Sequence, residues 1–153
     1  MIGNLFRSRK RIRSERPSFK PCLESLESRE VPSTAQTIAA FNALPTDMNN
    51  LIANLNARNI PGVESSINTV ASDMFQLQVG ASAFTTTSRL TINSALISNG
   101  IVLIFEGFNN FAFIPTQDFQ NLVQLGATAA RAGFTDLLVT EFFPNTSGDA
   151  VLT

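Results

Sequence analysis

The chain has 153 residues, 44% of them hydrophobic and 15% charged, with a formal net charge of −1, one cysteine and no His, Tyr or Trp. A chain of this length can bury a real core as one domain without staples, and the lone Cys22 closes no intrachain disulfide. Without histidine there is no Ser-His-Asp or Cys-His unit and no His-containing zinc site, and one cysteine makes no thiolate cluster.

The near-neutral charge is the sum of two unlike segments. Residues 1–33 carry eight basic groups against four carboxylates, a balance of +4, whereas residues 34–153 carry three arginines against eight carboxylates, a balance of −5. Six of the ten residues from Arg7 to Arg16 are basic and only Ile12 is apolar. Such a stretch buries too little surface to offset chain entropy, so residues 1–33 read as a disordered basic leader. The apolar run that a secretory signal needs after its basic region is absent. Nucleic acid is not an expected partner, because the remaining chain is acidic, lacks Tyr and Trp, and spaces its arginines widely.

Within that leader, Leu23, Glu24, Leu26, Glu27, Arg29, Val31, Pro32 and Ser33 follow the arginines in the order Leu-Glu-x-Leu-Glu-x-Arg-x-Val-Pro-Ser. The segment resembles the LEPR-XLL type of amino-terminal motif found on many surface or exported proteins of planctomycete bacteria. The resemblance covers about 30 residues and none of the body. It implies a sorting route to the outside or the cell envelope and implies no activity, since such leaders precede unrelated bodies.

From Thr34 onward the apolar spacing is helical. Ile38, Phe41, Met48, Ile52 and Leu55 keep one register across Pro45, which predicts two pieces, 35–44 and 46–59, broken at the proline with Thr46 capping the second. Asn59-Ile60-Pro61-Gly62 is short enough to force an antiparallel hairpin. Val63, Ile67, Val70, Met74, Leu77, Ala81 and Phe84 then step by alternating fours and threes, a seam that packs helices into bundles, with Glu64 expected in its first turn. A third helix begins at Ser88 as N-cap and runs toward Gly100; Ile101–Phe105 suits a buried strand or a buried helix, and helix is preferred because no partner strand follows. The stretch from Ala95 to Ile114 contains Ser98, Asn99, Glu106, Asn109 and Asn110, too polar for a transmembrane span. Thr116 is expected to cap a fourth helix that stops at Gly133, and Thr135 a short fifth, Asp136 to Phe143, ended by Pro144. The predicted fold is all-α, an antiparallel bundle of four to five helices over 34–144, with 145–153 as a polar tail.

Phe105, Phe108, Phe111, Phe113 and Phe119 place five aromatics within fifteen residues. The preferred expectation is that they fill the core. The alternatives are a pocket for an apolar small molecule or a face for a protein partner, including a second copy of the chain. No carboxylates lie at i, i+3 or i, i+4 in the body, no phosphate-binding glycine loop occurs, and no cofactor or metal is expected. Glu106 interrupts the most apolar run and is expected either to face solvent or to pair with Arg89 or Arg131. The leading functional reading is a non-catalytic surface, matrix or interaction module. A carrier using the phenylalanines is the alternative, and a carboxylate-based envelope enzyme centred on Glu106 the third.

Overall fold

The computed structural model of the chain describes residues 32–153; the disordered-leader expectation and the motif positions Leu23, Glu24, Leu26, Glu27, Arg29 and Val31 lie outside them. The motif's last residue, Ser33, is the N-cap of helix α1 (Thr34–Asn56). Its hydroxyl accepts from the Gln36 backbone N–H, and the Gln36 side-chain carbonyl accepts from the Ser33 N–H at 2.8 Å. This reciprocal capping box satisfies two donors that a bare helix start leaves open.

Contrary to the break expected at Pro45, α1 runs through it, and Thr46 caps nothing. Pro45 is exposed while Leu44 and Met48 on either side of it are buried, so the missing hydrogen bond falls on the wet side and packing holds the helix together. Ala57-Arg58-Asn59 turns the chain, with Arg58 in the left-handed region at φ 54°. Helix α2 (Ile60–Gly80) is capped by Asn59, whose side chain accepts from the Gly62 N–H; its first turn holds no carboxylate, because Glu64 lies beyond it. The Asn54 amide donates to the Gly62 carbonyl and to Ser66 Oγ, tying the two helices side by side. All seven residues of the α2 seam, Val63 to Phe84, are buried.

A single 3₁₀ turn, Ala81–Ala83, leads to helix α3 (Thr86–Asn110), capped by Thr85 rather than Ser88. It passes through Gly100 and makes Ile101–Phe105 helical. Helix α4 (Thr116–Phe142) follows Pro115, with Thr116 as its first helical residue; it continues through Gly133, so the expected stop and the separate fifth helix merge into it.

Gly133 reads as a stop in isolation, yet its lack of a side chain serves the packing of α4 on α3. The closest approach is at Gly100 and Gly126. A β-carbon on Gly100 would stand 2.6 Å from the Gly126 carbonyl oxygen and 2.8 Å from the Ala130 nitrogen, and one on Gly126 would collide with the Gly100 carbonyl oxygen. Gly107 and Gly133 stand one heptad further along their helices, so glycine recurs every seven residues on both sides of the seam. At Gly100, Gly126 and Gly133 an added β-carbon would meet backbone of the facing helix, whereas at Gly107 it would meet the side chains of Val123 and Leu122 at 3.3 and 3.4 Å.

Asn145–Thr153, whose composition reads as a polar tail, is tied down as a strap. After a 3₁₀ turn, Pro144–Thr146, the Gly148 and Ala150 N–H groups donate to the Ser82 and Ala83 carbonyls, and Thr85 N–H donates to the Ala150 carbonyl at 2.7 Å. The pairing of Phe84 with Ala150 is an isolated parallel bridge, and no β-strand occurs among the described residues. The fold is all-α. The α1–α2 hairpin and the α3–α4 hairpin are its two extensive pairings, and α2 joins them mainly through α4. Leu44, Leu51, Val70, Leu77, Leu96, Leu103 and Leu122 belong to the core between the hairpins.

Candidate interaction surface

Helical spacing divides α3 into three lines. Leu96 and Leu103 face the first hairpin, Gly100 and Gly107 face α4, and Ile97, Ile101, Ile104, Phe105 and Phe108 follow on the side away from the first hairpin. Helix α4 repeats the division with Leu122 and Ala129, then Gly126 and Gly133, then Val123, Ala127, Ala130 and Phe134. Because the helices are antiparallel around Gly100 and Gly126, the two outer lines lie alongside each other. Phe105 is 63% exposed, Phe108 59% and Phe134 51%, and none of these outer positions bears a charge.

The phenylalanines expected in the core therefore stand mostly outside it. Phe105, Phe108, Phe111 and Phe113 are exposed, and only Phe119 packs partly against the core. Phe119 is the hub of the group: its ring meets Phe108 edge-on with centroids 5.3 Å apart, and Phe111 at 5.8 Å. The Arg58 guanidinium lies 4.0 Å over the Phe113 ring, which joins the turn of the first hairpin to that of the second. The core is filled instead by aliphatic side chains and Phe84. Helical spacing explains the displacement: Phe105 and Phe108 fall on the side of α3 away from the buried Leu96 and Leu103, and Phe111 and Phe113 stand beyond its last turn.

Glu106 pairs with neither Arg89 nor Arg131; its carboxylate accepts from the Asn110 amide one turn on, at 3.2 Å. Arg89 is buried and makes a two-pronged ion pair with Asp136, with Nε donating to Oδ2 at 2.7 Å and Nη2 to Oδ1. Its Nη1 donates to the Thr146 carbonyl, fastening the strap. Burial pushes the Asp136 carboxyl up, but hydrogen bonds from Arg89 and Asn93 outweigh it and hold the group below the usual carboxylate range. Asn93, fully buried, donates to Asp136 Oδ2 at 2.8 Å, and its Oδ1 accepts nothing. Beside it opens a cleft of about 490 Å³ lined by Gln78, Thr128, Arg131 and Thr135. The Asp136 carboxylate and the Asn93 amide line this cleft too.

Two further carboxyls are shifted upward. Burial and the neighbouring Asp47 push Asp73 up to about 6, and burial with the Glu64 charge raises buried Asp118. No group of three or more metal-ligating side chains occurs among the described residues. Helix α3 is long and apolar enough to cross a membrane by length and composition, although α4 covers its glycine line and Arg89 lies within it. No family model, curated protein or solved structure matches the chain.

Proposed function

We propose that this chain is a non-catalytic interaction module working at the cell envelope or outside the cell, and that the outer face of the α3–α4 hairpin is its working surface. The observation that carries the reading is the exposure of Phe105, Phe108 and Phe134 on a largely apolar face alongside Ile101, with Arg131 and Glu141 at its α4 margin. Soluble monomers rarely leave a large contiguous apolar patch uncovered, and such patches mark interaction sites. The destination rests on the leader resemblance, and the absence of histidine from the whole chain removes the commonest acid–base residue. The carrier reading loses its support, since the rings that were to line a pocket point outward. Tracking a tagged full-length chain and one lacking residues 1–33 tests the destination. The full-length chain should reach the envelope or the medium and the shortened one should stay in the cytosol; cytosolic residence of both would refute export.

A further inference from the structure

We infer that the occupant of the outer α3–α4 face is a second copy of this chain, packed face to face on the same surface. The inference rests on the interaction reading above and names its partner.

Aromatic side chains present roughly 150–250 Å² each. With Phe105, Phe108 and Phe134 more than half exposed and Leu138, Ile101 and Val102 beside or next to them, the face offers on the order of 600 Å² of apolar surface. That is at or above the largest patch of a typical monomer and close to the ~800 Å² per partner of a stable interface.

A surface that selects an unlike protein usually carries charges or hydrogen-bonding groups that reject wrong partners. The lines Ile97–Phe108 and Val123–Phe134 are apolar along their middle, and the exposed Ser98, Arg131 and Glu141 stand at their margins, one heptad from Phe105, Leu138 and Phe134; an isologous contact of such a face needs mainly self-complementary shape. Ala127 and Ala130 are the small residues of that face, lying along the hairpin between Phe134 at one end and Phe105 and Phe108 at the other. A lipid surface fits less well. Peripheral membrane helices flank their apolar face with Lys and Arg, and residues 34–153 hold no lysine and a balance of −5.

The test is the molar mass of the purified full chain by light scattering from 1 to 200 µM, beside Phe105→Glu, Phe134→Glu and the control Phe75→Glu, which alters an exposed ring on α2. The native chain and the control should weigh twice 16.6 kDa at the upper concentrations, and the two face variants 16.6 kDa with unchanged helical circular dichroism. Should a glutamate variant aggregate, the milder Phe105→Ser/Phe134→Ser chain should dissociate at least tenfold more readily than the native one. A native chain that stays at 16.6 kDa throughout overturns the inference, as does a dimer that all face variants retain. Monomer that binds phosphatidylcholine vesicles, or crosslinks through Phe105 to a different envelope protein, overturns the self-pairing while leaving the interaction reading standing. Monomer that does neither removes both.

Discussion

Single residues in this fold work against their ordinary preferences, and those reversals give its sharpest tests. Glycine inside a helix costs about 1 kcal/mol relative to alanine, so Gly100→Ala should stabilise an isolated α3 by about that amount. In the folded chain the added methyl meets the Gly126 carbonyl and the Ala130 nitrogen, both backbone atoms that cannot rotate away. Overpacking of this kind costs roughly 1–3 kcal/mol, and the propensity gain does not cover a backbone displacement. Thermal unfolding of Gly100→Ala should therefore show a lower Tm than the native chain, and a raised Tm would refute the contact. Asp73 supplies a pH test. Its folded-state pKa of about 6 exceeds the unfolded value of 3.8, so folding favours the protonated form. The stability it contributes is complete below about pH 4 and is lost as pH rises through 6. The native Tm should rise from pH 7 to pH 5 relative to Asp73→Asn, and the variant should be the more stable of the two at pH 7. Matching pH profiles would contradict the assignment.

At the scale of elements, the helices were legible and their breaks were not. The fours-and-threes seam from Val63 to Phe84 identified a buried face residue by residue, because burial imposes the helical period directly on the sequence. Pro45 and Gly133 read as breaks because propensity is local. Buried Leu44 and Met48 carry α1 past the proline, and the touching backbones of α3 and α4 require a side-chain-free position where a stop was expected. Proline in a helix interior costs about 3 kcal/mol, and Pro45 is exposed, so Pro45→Ala should recover a large part of that cost. Chemical denaturation should show a higher midpoint at unchanged slope for this variant; an unchanged midpoint would mean that the turn around Pro45 is already relaxed. The sequence carries part of the close seam: Gly126, Ala127, Ala129, Ala130 and Ala132 read as a thin face that permits close helix approach, whereas Gly133, one heptad after Gly126, reads as a stop because a glycine at a helix end and one at a helix contact look alike in sequence.

For the molecule as a whole, periodicity tells which residues share a side of a helix and not which side is covered. Helix α3 has apolar lines on two sides, Leu96 with Leu103 and Ile101 with Phe105, and only the assembled hairpins decide that the leucines go inward. Five clustered phenylalanines therefore read as core from the sequence, and four of them lie at the surface. The Arg89–Asp136 pair, 47 residues apart, left no sequence signal at all, since neither partner's spacing points to the other. On the proposed function, the outer α3–α4 face is covered where the protein acts. Carbene footprinting of the chain in its native compartment, compared with the purified chain at high dilution, measures this directly. Phe105, Phe108 and Phe134 should be several-fold less labelled in the native setting while Phe75 on α2 is labelled equally in both; equal labelling of all four rings would contradict the account.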